Sequence, residues 1–182
     1  MRIALVSDTH FPRRGVTLPP ACAAECRRAD LVVHAGDLAD MATLGMLRTL
    51  GPPLVAVHGN ADEPRVRQAL PATAEVEAGG LVIGVVHDAG PEAGRLARLR
   101  RRFPRCGLVV FGHSHIALLQ QDADGFLIVN PGSAADRRRQ PRHSMALVEV
   151  DGRGRPEVTF VAVDDPAGPL DPSLVRRPDT GT

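Results

Sequence analysis

The stretch Ile3-Ala4-Leu5-Val6-Ser7-Asp8-Thr9-His10 opens with an apolar run that stops abruptly on a polar cluster. A strand with one wet face alternates apolar and polar residues, so a continuous run of this kind predicts a strand buried on both faces. The same grammar returns four times. Leu31-Val32-Val33 leads into His34-Ala35-Gly36-Asp37, and Leu54-Val55-Ala56-Val57 leads into His58-Gly59-Asn60-Ala61-Asp62. Leu81-Val82-Ile83-Gly84-Val85-Val86 ends in His87-Asp88, and Leu108-Val109-Val110-Phe111 ends in Gly112-His113-Ser114-His115. Every run exits onto Asp, Asn or His.

Working outward, helical spacing fills about 19–28 and 40–50 between the first three runs, and Glu92 to Phe103 before the fifth. Asp40 is expected to cap the second helix, and Gly51-Pro52-Pro53 to stop it. Strand–helix–strand order predicts parallel pairing with right-handed crossovers. After about residue 106 the texture changes. Ile116 to Gln121, an Asp/Gly-rich turn at 122–125 and Phe126 to Val129 predict one hairpin; Met145 to Val150 and Glu157 to Val163 predict another. The fold class is therefore α/β ending in antiparallel β, as a mixed sheet or as two sheets packed face to face. One domain is expected at 1–163. The Pro, Asp and Gly content of 164–182 predicts an extended or disordered tail.

Composition bounds the function. With 182 residues, 43% of them hydrophobic and 24% charged, the chain can bury a full core without disulfides or structural metal. A formal net charge of +1 gives no global attraction to nucleic acid or anionic membrane, so a charged partner must be held by a local patch. Three cysteines form no disulfide framework. No apolar run reaches about 18 residues and the N-terminus has no signal-peptide core, so a cytoplasmic location and no membrane partner are expected.

The carboxyl ends of parallel strands line one rim of an open α/β sheet, where ligands bind, so the five clusters should converge. Asp8 and His10 are two residues apart, as are His113 and His115; in extended backbone each pair would project to one side and grip one centre. Gly36, Gly59 and Gly112 each precede a candidate ligand, where a missing side chain admits close approach. Asp8, His10, Asp37, Asn60, His87, His113 and His115 are too many donors for one transition metal. They suit two metals sharing a carboxylate. Mixed oxygen and nitrogen donors without thiolate argue for Mn²⁺, Fe, Zn²⁺, Ni²⁺ or Co²⁺, and against Ca²⁺, a simple Mg²⁺ site or a cysteine zinc.

Asp8-x-His10, Gly36-Asp37, Gly59-Asn60, the isolated His87, Gly112-His113-x-His115 and the turn Asn130-Pro131-Gly132-Ser133 together resemble the calcineurin-like metallophosphoesterase superfamily, in particular its small YfcE-like phosphodiesterase branch. The resemblance implies a four-layer α/β sandwich of two mixed β-sheets flanked by helices. It implies two divalent ions, Mn²⁺ first among them: Asp8, His10, Asp37 and His115 would hold one, and Asn60, His87 and His113 the other, with Asp37 bridging. Asp37, Asn60 and His113 would be catalytic, in a phosphoesterase, foremost a phosphodiesterase, that attacks phosphorus with a metal-bridging hydroxide.

Two positions depart from the family pattern. Ala61 stands where much of the superfamily has a His thought to assist the leaving group, which makes His58 a candidate substitute. Asp88 stands where the branch usually has Gly, and is expected either to orient His87 or to cap the following helix. The run Arg137-Arg138-Arg139 follows the Asn-Pro-Gly-Ser turn, so Arg137 and Arg139 are candidate phosphate contacts. His34 is expected in the core or beneath the site, and His143 at the surface. Two alternatives remain: a noncatalytic scaffold of the same fold (Vps29-like), favoured by missing ligands, of which none is missing here; and a nuclease, against which five Phe and near-neutral charge leave no stacking platform or basic groove. The expected partner is a small phosphorylated or phosphodiester substrate and not nucleic acid, with homo-oligomerisation open.

Overall fold

In the computed structural model, which describes residues 1–178, the five apolar runs divide between two sheets. β1 (Arg2–Val6), β2 (Leu31–His34) and β3 (Leu54–Ala56) run parallel, connected through α1 (Pro20–Arg28) and α2 (Met41–Arg48). The free edge of β1 pairs antiparallel with β9 (Ser144–Val150), which continues through β10 (Pro156–Ala162) to β11 (Gly168–Pro169). In the second sheet β5 (Leu81–Val86), β6 (Leu108–Val110) and β8 (Leu127–Asn130) are parallel. Antiparallel β4 (Thr73–Ala78) and β7 (Leu118–Gln121) flank them. The fold is thus the expected pair of mixed sheets, each closed on its outer face by helix.

Burial explains why the runs are continuous. Ile3 and Leu5 point into the space between the sheets, with Val33, Ile83, Val85, Leu108 and Val110. Their neighbours Ala4 and Val6 point outward, under Cys22 and Cys26 of α1 and Leu44 and Leu47 of α2. On the other sheet Val109 and Phe111 lie beneath Leu99 of α4 (Arg95–Arg102) and Phe103. Both faces of each central strand are dry, so period-two alternation is absent. The three cysteines are free and buried.

Asp40 caps α2, its Oδ1 accepting from the Thr43 N–H at 2.8 Å. The third expected helix begins at Arg95 rather than Glu92, behind Gly94 at φ +67°. Two elements were not anticipated: α3 (Pro64–Ala69), one and a half turns long, and β4, whose alternating Glu75 and Glu77 face water and break the apolar pattern. Beyond Asp164 the chain is extended through β11 and a 3₁₀ turn at Pro172–Leu174, and Leu170 and Val175 are buried in the inter-sheet core. The end of the expected tail, 179–182, lies outside the described residues. Among the described residues no helix is long and apolar enough to cross a membrane.

Candidate metal centre

All five polar clusters leave the carboxyl ends of their strands at one rim, where the two sheets meet. There the side chains of Asp8, His10 and His115 form one group, and those of Asp37, His87 and His113 a second. Asn60 joins the second group, its Oδ1 lying 2.8 Å from His113 Nδ1 and 3.1 Å from His87 Nε2. Asp37 stands between them. Its Oδ2 is 3.5 Å from His10 Nε2 and 3.2 Å from His87 Nε2.

The backbone that achieves this is not extended: Asp8 and His10 share one group as expected, but the expected shared projection of His113 and His115 is corrected. Asp8, His10, Asp37, His113 and His115 all have φ between 50° and 69°. Such left-handed residues are uncommon outside glycine and cluster at functional sites, held by the surrounding structure. Each turn rotates the next side chain, so His113 and His115 separate into different groups instead of sharing one. Glycine makes room where the loops press on the two carboxylates. A Cβ on Gly59 would lie 2.2 Å from Asp37 Oδ1, and one on Gly112 would lie 2.8 Å from Asp8 Oδ2.

Buried polar side chains hold the loops. The Asn130–Ser133 turn ties two of them: Asn130 Nδ2 donates to the Gly112 carbonyl at 2.7 Å, Ser133 Oγ donates to the Asp8 carbonyl at 2.7 Å, and Ser7 Oγ donates to the Gly132 carbonyl at 2.7 Å. Asp62 ties two more, accepting from the N–H groups of Gly59, Asp37 and Ala39 at 2.6, 3.2 and 2.6 Å. Sequence reasoning missed Asp62, although its place two residues after Asn60, at the end of a cluster, was a usable signal.

The donor set fits divalent cations on the hydrogen bonding alone. His87 Nδ1 donates to the Ala35 carbonyl at 2.8 Å and His115 Nδ1 donates to the Asp136 carbonyl, which leaves each Nε2 lone pair aimed inward. These lone pairs meet other acceptors: His115 Nε2 faces Asp8 Oδ1 at 3.2 Å, and His87 Nε2 faces Asp37 Oδ2 and Asn60 Oδ1. Asp37 Oδ2 is buried with no hydrogen-bond partner, while Oδ1 accepts from Ala61 N–H at 2.7 Å. Acceptors converging at this spacing call for a positive charge between them, which either a proton or a cation supplies.

The titration behaviour says the same. Burial would raise the Asp8 carboxyl, but hydrogen bonds from His10 and His115 outweigh it and hold the group below the usual carboxylate range. For Asp37, burial is likewise overcome by His87 and the Ala61 N–H. Burial would lower His87, yet the carboxylates of Asp37 and Asp8 push it up to about 8. Protein charge at the rim thus draws protons where cations would sit.

The remaining expected residues lie apart from both groups. His58 is half-buried in the wall of a cleft of about 430 Å³ shared with Asn60, His87, His113, Arg67 and Arg102. Its Nδ1 is buried without a partner. Arg137 and Arg139 are exposed and line no part of this cleft; Arg137 donates to the Gln140 carbonyl at 2.6 Å. Asp88 neither orients His87 nor caps α4: its Oδ1 accepts from Gly90 N–H at 2.7 Å, closing a local turn. His34 is fully buried beneath the site, with Nδ1 accepting from Gly36 N–H at 3.2 Å and Nε2 3.4 Å from Thr9 Oγ1. His143 is half-buried against Asp164, Nδ1 to Oδ1 2.5 Å.

Two mixed sheets with a rim of paired carboxylate–histidine groups define a metallophosphoesterase architecture. The model of the calcineurin-like phosphoesterase superfamily domain matches residues 1–153, and the chain belongs to that family. It is 35% identical over 136 residues to a probable metallophosphoesterase of Methanocaldococcus jannaschii, covering 73% of this chain and 68% of that protein. Against a probable metallophosphoesterase of Methanothermobacter thermautotrophicus it is 30% identical over 155 residues, covering 84% and 87%. A crystal structure of a single mutant of Vps29 from Entamoeba histolytica shares the fold, with a TM-score of 0.77, 24% identity, and 92% and 96% of the two chains covered. Family and donor geometry together support divalent metal ions and a phosphoesterase hydrolase.

Proposed function

We propose that the protein is a dinuclear metal-dependent phosphoesterase acting on phosphodiesters, with Asp8, His10, Asp37 and His115 around one divalent ion and Asp37, Asn60, His87 and His113 around the other. The observation that carries this is Asp37 Oδ2, a buried carboxylate oxygen without a hydrogen bond, set between His10 and His87. Ions held there, Mn²⁺ first and Fe, Zn²⁺, Ni²⁺ or Co²⁺ as alternatives, would acidify water and neutralise charge on the phosphoryl oxygens.

The chain's own residues do the rest. Asp8 and Asp37 supply the anionic charge that two cations need, held ionised by their imidazole neighbours. Asn60 and His113 line the cleft, so a phosphodiester enters on their side of the centre. Ala61 contributes only its N–H, to Asp37, and offers no proton to a leaving group. General acid assistance is typically worth about 10²–10⁴-fold, so esters with leaving groups of low pKa are favoured. His58, in the cleft wall with both ring nitrogens unengaged by other described residues, is the neighbouring group a substrate oxygen would meet. A Vps29-like scaffold shares the fold, and turnover rather than metal binding separates it from the hydrolase.

The test is hydrolysis of bis(p-nitrophenyl) phosphate by chelated protein with each metal added back. Turnover restored by Mn²⁺, with simple alkyl phosphates poor, is the expected result. No turnover at full loading with any of the five metals refutes the hydrolase.

A further inference from the structure

The cleft beside the second donor group carries charge that the metal centre does not use. Arg67 is anchored in its wall by two carbonyls, Nε donating to Asp62 O at 2.8 Å and Nη2 donating to Asn60 O. Arg102, exposed, also lines the cleft, its guanidinium 5.7 Å from the Phe103 ring. Neither forms an ion pair with a described residue, so both guanidinium charges in the cleft wall stay uncompensated. Asp88 is the one carboxylate in the lining, and its Oδ1 is occupied by Gly90 N–H. The cleft therefore keeps excess positive charge before any ion is bound.

Carbonyl anchoring matters because it fixes a guanidinium without neutralising it. Arg67 is exposed but held in place next to the Asn60 loop, with Nη1 free to donate. Val86 and Ala72 add apolar surface to the lining. The volume, about 430 Å³, is that of a small-ligand site and exceeds what one phosphoryl group fills.

From this juxtaposition we infer that the cleft selects phosphoesters whose organic arm carries a second anionic group, a carboxylate or another phosphate, bound by Arg67 and Arg102 while the scissile phosphate lies at the Asn60–His113 side. The assignment deepens the phosphoesterase proposal and rests on it. It names a substrate class, and it moves substrate recognition to two arginines that no sequence motif marked.

The test compares p-nitrophenyl alkyl phosphodiesters whose alkyl arm ends in methyl or in carboxylate, with matched arms of about two to four methylene groups. Mn²⁺-loaded wild type, Arg67→Gln and Arg102→Gln are assayed. The readout is the ratio of kcat/KM, carboxylate arm over methyl arm, because general damage to the site lowers both values together. The wild-type ratio is expected to exceed about ten, and each substitution to cut it about tenfold, the size of one charge-assisted contact. A wild-type ratio near one, or a ratio that both variants leave unchanged, overturns the inference. Calorimetric binding of carboxyalkyl phosphate against alkyl phosphate gives the same ratio without turnover. If no diester is cleaved with any metal, the hydrolase proposal has failed, yet the affinity ratio still decides the cleft: above ten and lowered in both variants sustains it, near one overturns it.

Discussion

Asp8, His10 and His115 close around one another beneath the Asn130–Ser133 turn, whereas Asn60 and His113 meet at the mouth of a cleft. In the first group Asp8 is 0% and His115 1% exposed. In the second, His87 and Asp37 are buried but Asn60 and His113 reach the surface. The loops differ in the same way. Serine and asparagine hydroxyl and amide groups clamp the closed side from the turn, and a single carboxylate, Asp62, clamps the open side from below. A site that must retain a cation is enclosed and tied; a site that must admit substrate leaves one flank open. The shared Asp37 makes the two a single centre.

The largest effect expected is on that shared residue. Asp37→Ala removes the carboxylate belonging to both groups, and turnover of bis(p-nitrophenyl) phosphate should fall by about a thousandfold or more while circular dichroism stays native, since the core does not include this side chain. Substantial activity at full metal content would separate the two groups and break the comparison.

His34 strikes both sides from beneath, because it contacts Thr9 of one loop and Gly36 of another. Burial lowers its pKa from 6.5 to about 4. Between those values the unfolded chain binds a proton that the folded chain refuses, so stability is full above pH 6.5 and is lost as pH falls toward 4, by up to about 3 kcal/mol. Bound cations act in the same direction. Urea unfolding of wild type and His34→Gln at pH 7 and pH 4.5 checks this: the variant should lose distinctly less on acidification, and equal losses would count against it.

The smallest effect sharpens the contrast itself. During dialysis against a chelator, one ion per chain should leave about tenfold or more faster than the other. His113→Ala should speed only the fast phase, whereas His115→Ala should abolish the slow one. Metal content per chain followed over time reads both, and two ions lost together would show the enclosure to be irrelevant.

Much of this was legible without coordinates. Runs with no alternation imply strands covered on both faces, and Ile3, Ala4, Leu5 and Val6 do face two different cores. A polar cluster at each exit implied convergence at one rim, where all seven donors stand. β4 was illegible because an edge strand with a wet face carries Glu75 and Glu77 in place of apolar residues, and α3 because six residues are too short for helical periodicity to register. His113 and His115 were mis-projected because spacing assumes a backbone, and the left-handed turns that set their directions are imposed by neighbouring loops.

Apolar patterning and the order of Asp, Asn and His clusters determined by themselves the class of fold and the donor types, since both follow from local chemistry repeated along the chain. The family resemblance already implied the division of donors and the bridging place of Asp37; only the tertiary structure decided the left-handed turns that set those directions, that Asp62 ties two loops, and that Arg67 and Arg102 share a cleft. Those facts depend on distances between residues far apart in the chain, as Asp37 is from Asp62 and Asp8 from His115, and such distances exist only once two sheets pack and their loops are brought to one rim.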